Sequence, residues 1–493
     1  MPKIPLWVPF ILLVGILLIH FFFLNADPDI NLSLSRDAFT DEGLNTSQLR
    51  NYINHGDLDM TECDNLIKTP LFNLLLYIPL KFAGTHLIVA RLTVLLIVLT
   101  VMFISCRNNY YRTVMVIFCF TTLIQYFVFQ YSHFSLSEMM STCWNFLSVY
   151  FLFRLFTIEQ KKLFHLLCSV LFSAFSYYTK IQFLYIVLLA PACVSLIYIL
   201  ERKKLLTAEN VSRNIFLTVS FTLLFITFYM LCWYLPFNRP FNYMLQNEAT
   251  DKYAAIAGIP KIMLSNIKNL LLNPQGRLYN ALSFITVIFG FFLWKRSVHS
   301  QFKILFPLLL VWLLLELHKL TMTYLPSRYL VSYYFVAGLL SSVVIAELIF
   351  HLQNEKKFFL SFSRFIGGSL LILFTTINLY ELGQLYHRRT YAIRDINNYF
   401  STSFKKNSAI MIGPWAPSLG WESDAITKPV WRNFMNDKNI FNAIHPDVIL
   451  SEPDEEESNH AYVSQGIRLA EYADSIRSFQ VGKWKINAYW IKK

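Results

Sequence analysis

The chain has 493 residues, 55% hydrophobic and only 15% charged, and its mean hydropathy is +0.43. A soluble domain carries about 25% charged residues, so this composition excludes an ordinary soluble protein and belongs to a lipid-solvated one. The net charge of +12 falls in short clusters between apolar runs and along no groove with interleaved aromatics, which excludes nucleic acid as the partner.

Apolar runs near 5–24, 87–104, 113–131, 138–157, 164–178, 181–200, 214–236, 278–294, 303–325, 329–350 and 365–382 read as membrane spans. Each approaches the ~20 apolar residues that a crossing helix needs. The first run is longer than a signal-peptide core and no A-x-A site follows it, so it reads as an uncleaved helix. Lys180 and Gln182 mark a turn inside the long apolar stretch 164–200. Six cysteines sit in or beside apolar runs, where Cys acts as a small hydrophobe. Cys63 stands alone in a polar loop and there is no CxxC pair, so neither a cysteine metal cluster nor a structural disulfide is expected.

Lys and Arg set the orientation. Basic residues gather at Lys3, at Arg107 and Arg112, and at Arg154, Lys161 and Lys162. They return at Arg202, Lys203, Lys204 and Arg213, at Lys295, Arg296 and Lys303, and at Lys356, Lys357 and Arg364. These segments alternate with less basic ones. About eleven spans then place the N-terminus in the cytoplasm and the C-terminus outside.

The first outer loop, 25–69, has the opposite character. It holds Asp27, Asp29, Asp37, Asp41, Glu42, Asp57, Asp59, Glu62 and Asp64 against Arg36, Arg50 and Lys68. Carboxylates beside anionic lipid are repelled, so nine in one loop suggest a use. Asp41-Glu42-Gly43 opens a stretch with helical spacing of Leu44, Leu49, Tyr52 and Ile53, and the plainer role for an acid there is to cap the helix. After Lys68-Thr69-Pro70 the sequence LFNLLLYIPLKFAG reads as an interface helix. A second outer segment, 259–272, interleaves Ile262, Leu264, Ile267 and Leu271 with Lys261 and Lys268, the pattern of an amphipathic helix on a membrane surface.

From about Gly383 the composition becomes soluble. Ser408–Gly413, Val448–Leu450 and 481–491 read as strands, and 467–478 as a helix. Asp454–Glu457 is an acidic run, most simply a solvated turn. A small α/β domain is expected over 383–493, following a membrane domain over 1–382 in which 25–86 is the acidic outer region. His445 and His460 lie in this tail without triad-like spacing, so it is not expected to be catalytic.

Several ionisable residues sit where lipid makes them costly. Arg91 lies early in a span, Lys180 at a helix turn, and His318 and Lys319 within an apolar run followed by Ser327-Arg328-Tyr329. Glu138 begins the fourth span. Glu316 and Glu347 are also intramembrane, and Glu347 reads as structural. Snorkelling to the interface explains any one cation alone. Several at the same end of different helices suit a bound phosphate better.

These motifs, in this order, resemble the GT-C superfamily of membrane glycosyltransferases. Within it, they look like the group of protein O-mannosyltransferases and lipid A aminoarabinose transferases, glycosyltransferase families 39 and 83. The matching segments are TDEGLNTSQLRNYINHG, KTPLFNLLLYIPLKFAGTHLIVARL, the SE before the fourth span, YYTKIQFLYIVLLAP and PSRYLVSYYFVAGLL. The tail segment IGPWAPSLGWES looks like the outer domain of bacterial members. Two departures stand out: the family's Lys-Pro-Pro-Leu is here Lys68-Thr69-Pro70-Leu71, and Leu44 follows Gly43 where the family has an aromatic.

The resemblance implies a GT-C fold, a polyprenyl-phosphate sugar donor, an extracytoplasmic lipid, glycan or protein acceptor, and inversion at the anomeric carbon. It implies that a first-loop carboxylate is the general base. Asp41 is the choice, with Glu42 as a neighbour whose charge raises the pKa of one member of the pair, and with Glu138 orienting donor or acceptor. Lys68, Lys180 and Arg328, with Tyr329, are expected on the donor phosphate, and Arg91, His318 and Lys319 are secondary candidates. No metal ligand is assigned. A divalent cation remains an alternative on the strings Asp27-Pro28-Asp29 and Asp57-Leu58-Asp59, with His55 and His133 as further ligands. The competing readings are a transporter or lipid flippase, which would place polar residues near the midplane with repeat symmetry, and a non-catalytic scaffold.

Overall fold

A computed structural model describes residues 4–33, 35–60, 62–63, 65–158, 160–204, 211–243, 258–297, 299–350, 357–404, 409–430, 439–453 and 461–492. The expectations for Lys3, Asp64, Lys356, the acidic run 454–457 and His460 lie outside these residues.

Each of the eleven apolar runs is helical. Seven helices among the described residues are long and apolar enough to cross a membrane, eight if one bent pair counts as a span. Trp7–Phe21 is apolar but has 15 residues, and Ser137–Thr157 and Lys162–Thr179 are full-length helices outside the seven. These last two pack on polar contacts between small residues, as helices in lipid do. Ser148 Oγ lies 3.1 Å from Ser169 Oγ and 2.8 Å from Ser173 Oγ.

Three runs break where polar residues enter them. The expected span 113–131 is a bent pair, Asn109–Leu123 and Tyr126–His133, at 94°. Gln125 causes the restart: its side-chain carbonyl accepts from the Phe127 and Val128 N–H groups at 3.0 Å each and caps the second helix. The helix Lys162–Thr179 ends at Lys180, whose extended backbone leads into the 3₁₀ turn Ile181–Leu188, as the turn expected at Lys180 required. The expected run 303–325 is helical only through Ser300–Glu316. It tightens to a 3₁₀ turn at Leu317–Thr321, and a second such turn spans Ser327–Leu330 before the helix Val331–Phe350. Irregular backbone at membrane depth is tolerated where protein surrounds it.

The acidic loop 25–69 is folded. Its main element is the helix Asp37–His55, which starts four residues before Asp41 and is stopped by Gly56 at φ +74°, the left-handed cap that glycine accepts without strain. The interface helix Pro70–Ala83 and the amphipathic helix Ile259–Leu272 form as expected. Leu264, Leu271 and Leu272 on the latter are exposed.

The last long helix runs Lys357–His387, past residue 382, and Ala392–Ser403 leads into the tail. The tail holds a five-stranded sheet of β1 (Ile410–Ile412), β2 (Ile426–Lys428), β3 (Val448–Ser451), β4 (Ala473–Val481) and β5 (Trp484–Ile491), in the order β2-β1-β3-β5-β4. β1 pairs parallel with β2 and β3, and β5 antiparallel with β3 and β4. The helix expected over 467–478 is a correction: only Leu469–Tyr472 is helical, and β4 follows. Pairing along the whole of β5 overrides the local helical pattern.

Candidate active site

The helix Asp37–His55 turns about 100° per residue, so the neighbours Asp41 and Glu42 face different partners while Asp37 and Asp41, four apart, share a face. Glu42 is buried and closed. Arg91 grips it bidentately, Nε to Oε1 at 2.9 Å and Nη2 to Oε2 at 2.5 Å, and the Ser135 N–H donates to Oε1 at 2.7 Å. Arg91 also donates to the Leu24 and Ala26 carbonyls at 2.9 and 2.7 Å and lies over the Phe134 ring. This pair ties the helix to Leu87–Ser105 and to the chain that follows Trp7–Phe21. The charge that faces Asp41 is therefore not a second carboxylate, as the sequence pairing suggested, but a guanidinium.

That guanidinium belongs to Arg328. Its Nη1 touches the Asp41 carboxylate directly and donates to Asp37 Oδ2 at 2.8 Å. Its Nε stands 3.3 Å from Glu138 Oε1 without a hydrogen-bond geometry. Glu138 is fully buried and takes a 2.5 Å contact from Lys180 Nζ. Burial pushes the Asp37 carboxyl up, but the Arg328 charge and the hydroxyls of Ser33 and Ser35 outweigh it and hold Asp37 below the usual carboxylate range.

Tyr329 bridges to a second charge group. Gln182 Nε2 donates to its hydroxyl at 2.8 Å, and Lys180 Nζ and the Arg328 guanidinium lie 5.4 and 5.0 Å from its ring centre. Its backbone carbonyl accepts from Lys319 Nζ at 2.8 Å. Lys319 pairs with Glu316 at 2.7 Å. Glu316 in turn accepts from the Tyr185 hydroxyl, Trp312 Nε1 and Ser332 Oγ at 2.8, 2.9 and 2.5 Å. His318 is half-buried beside the Tyr185 ring, with Nδ1 2.6 Å from the Leu315 carbonyl. Lys68 is half-buried at the end of the short helix Asn65–Lys68, where the preceding Ile67 carbonyl accepts from Trp233 Nε1 at 2.9 Å.

Of the residues singled out in the sequence, then, the fold brings Asp41, Glu138, Lys180, Arg328, Tyr329 and Lys319 into one connected cluster. It sets Glu42 and Arg91 apart as a closed bridge. Sequence reasoning gave Asp37 and Glu316 no role at this cluster. The i,i+4 spacing of Asp37 to Asp41 was a usable signal, as was the i,i+3 spacing of Glu316 to Lys319.

The acidic strings do other work. Asp27 accepts from Thr390 Oγ1 and the Ala392 N–H at 2.7 Å each and from the Ile393 N–H at 3.0 Å, capping the helix Ala392–Ser403. Asp29 pairs with Arg388 at 2.8 Å. Asp57 faces Lys428 of β2 at 3.7 Å, and Lys428 also reaches Glu62 at 3.3 Å. His133 pairs with His20 at 3.0 Å in a buried site. Among the described residues no group of three or more His, Cys, Asp or Glu side chains is arranged to hold a metal ion.

No protein-family model and no curated protein matches the chain. Solved structures do. The ArnT structure from Cupriavidus metallidurans bound to undecaprenyl phosphate aligns with 97% of this chain and 97% of its own at a TM-score of 0.63 and 13% identity. The Archaeoglobus fulgidus oligosaccharyltransferase in complex with zinc and sulfate aligns with 96% of this chain and 72% of its own, at 0.54 and 10%. The A. fulgidus oligosaccharyltransferase AglB with an inhibitory peptide and a dolichol-phosphate aligns with 98% and 74%, at 0.52 and 10%. At these identities the likeness is one of fold: the chain shares the helical membrane fold of these structures and carries the small five-stranded sheet near its C-terminal end.

Proposed function

We propose that this chain is a membrane glycosyltransferase that moves a sugar from a polyprenyl-phosphate donor to an acceptor outside the membrane, with inversion. One observation carries the reading: two carboxylates of one helix, Asp37 and Asp41, share Arg328, and Arg328 in turn stands beside Glu138, the partner of Lys180, so that the ends of three further helices meet there. The similar fold of a protein solved with undecaprenyl phosphate and of another solved with a dolichol-phosphate supports the donor class.

In this reading the acceptor hydroxyl attacks the anomeric carbon from the face opposite the phosphate. The carbon–oxygen bond to phosphate breaks, its electron pair leaves on the phosphate, and the hydroxyl proton passes to Asp41. Arg328 and Lys180, with Lys68 from the loop, take the developing phosphate charge. Drawing Arg328 toward that phosphate loosens its hold on Asp41, so donor binding readies the base. Glu138 holds both cations in place. Arg91 and Glu42 keep the helix seated, and Lys319 with Glu316 supports Tyr329 from behind.

The basic clusters support a multi-pass plasma-membrane chain with a cytoplasmic N-terminus and a tail outside the cytoplasm. Arg112 Nη1 donates to the Ile4 carbonyl at 2.8 Å, so the start of the chain and one basic cluster share an end of the bundle. Reporter fusions at residue 390 are expected to be active only in formats that work outside the cytoplasm, and activity only in cytoplasmic formats would overturn the topology.

The functional test is purified protein mixed with a polyprenyl-phosphate sugar. Release of free polyprenyl phosphate, accelerated by an extract of envelope acceptors, is expected. Donor that crosses vesicle bilayers intact, with no phosphate released, would favour a flippase instead.

A further inference from the structure

The tail grips the outer helix at five residues around and beyond Asp41. Arg36 Nη1 pairs with Glu452 at 3.0 Å, and Glu452 also accepts from Trp415 Nε1 at 2.6 Å. Ser418 Oγ donates to the Thr40 carbonyl at 2.9 Å. Gly43 lies against the 416–419 turn so closely that a Cβ would stand 2.4 Å from the Ser418 nitrogen and 2.5 Å from the Pro417 carbonyl carbon. This peptide leaves no room for a side chain. Asn51 exchanges two hydrogen bonds with the Thr427 backbone of β2, at 3.1 and 3.2 Å.

Arg50 is the centre of this grip. It is 3% exposed, and no ion pair to a carboxylate is found for it among the described residues. It donates to the Pro417 carbonyl at 2.6 Å and to the Gly43 and Trp421 carbonyls at 3.4 Å each, and its guanidinium lies 4.1 Å from the Trp421 ring centre. Burial pulls its pKa down to about 9, against the opposing charge of Glu422. A buried cation satisfied by carbonyls is costly to keep. An apolar residue would fill the same space for stability alone, so the fork's value lies in fixing geometry: it joins the Gly43 carbonyl, two residues from Asp41, to two carbonyls of the tail.

We propose that the soluble tail is a positioning element for the proposed base, and that Arg50 is the positioning residue through which it acts. This rests on the reading of Asp41 as the base. The IGPWAPSLGWES segment then serves as a backbone template that sets the height and rotation of the helix Asp37–His55, so Asp41 meets the acceptor. The Arg91–Glu42 bridge holds the same helix through the residue next to Gly43.

The test uses the full chain with Arg50→Met, Arg50→Lys and Gly43→Ala, compared with wild type in three measurements. Hydrogen exchange over residues 37–46 reads helix position independently of chemistry. It is expected to speed up in Arg50→Met and Gly43→Ala while the membrane helices are unchanged. Affinity for polyprenyl phosphate is expected to stay at the wild-type value. Turnover per folded molecule is expected to fall about 10²-fold, the scale of a reacting group misplaced by ~1 Å, with partial recovery in Arg50→Lys. If Arg50→Met fails to fold, Gly43→Ala carries the same expectations. Unchanged exchange, or affinity falling in step with turnover, overturns the proposal. Faster exchange in a protein whose wild type transfers no sugar keeps the positioning role and removes the enzymatic reading instead.

Discussion

Two adjacent carboxylates on one helix end in opposite circumstances. Glu42 is saturated: a bidentate arginine and a backbone N–H use its oxygens, and the arginine also donates to two carbonyls. Asp41 meets a single guanidinium that it shares with Asp37 and that also faces Glu138. Neither composition nor local pattern separates the two. What does is the helical rotation between neighbours and the identity of the residue brought in from elsewhere, Arg91 for one and Arg328 for the other. A closed pair resists rearrangement and serves the fold. An over-subscribed cation can change partners when an anionic ligand arrives, which is what a phosphate site requires.

The comparison breaks most visibly at the closed pair. Glu42→Gln leaves Arg91 buried without its counter-charge, and such a loss costs about 3–5 kcal/mol. Thermal unfolding in detergent should show a large drop in Tm. A stable Glu42→Gln protein that has lost turnover would reverse the roles of the two carboxylates.

The open cluster gives the next largest effect. On the proposed reading, Arg328→Ala removes one charge-assisted contact to the donor phosphate, worth about 1.5–3 kcal/mol of binding. Titration with polyprenyl phosphate checks it. Lys180→Ala and Lys68→Ala should act in the same direction, and unchanged affinity in all three single variants would remove the phosphate-site assignment.

A smaller effect sharpens the comparison from outside the site. Burial raises the Glu62 carboxyl to about 7, against the favourable charge of Lys428. The folded state therefore holds this proton more tightly than the unfolded chain does. Its contribution is present below the ordinary carboxylate pKa and is lost as pH rises through about 7. Glu62→Gln mimics the protonated acid. Its stability gain over wild type should be near zero at acidic pH and on the order of 2 kcal/mol above neutrality. A gain independent of pH would mean that Glu62 is ionised throughout.

Much of the scaffold was legible in the chain. Apolar runs located the helices, and Lys180 correctly marked a break, where the helix Lys162–Thr179 ends and the lysine pairs with Glu138. Alternation exposed β5, and a short apolar run exposed β1 and β3. The bend at Gln125 was not legible, since a glutamine cap looks like any polar residue in a span until its side chain turns back on the backbone. β4 was misread because its exposed residues, such as Arg477 and Gln480, carry no apolar alternation. Within the site, the choice of Asp41, Glu138, Lys180 and Arg328 came from resemblance and membrane depth. The removal of Arg91 from the cluster needed the fold, because its partner Glu42 lies 49 residues away in sequence.

The most direct measurement is sugar transfer by Asp41→Asn beside Asp57→Asn and Asp59→Asn, with folding and donor affinity measured on the same preparations. The substitution keeps shape and removes the proton acceptor. The account predicts that Asp41→Asn folds, binds polyprenyl-phosphate sugar nearly as wild type does, and turns over about 10²–10⁴-fold more slowly, while the other two variants stay active. Transfer by Asp41→Asn at close to the wild-type rate would contradict it.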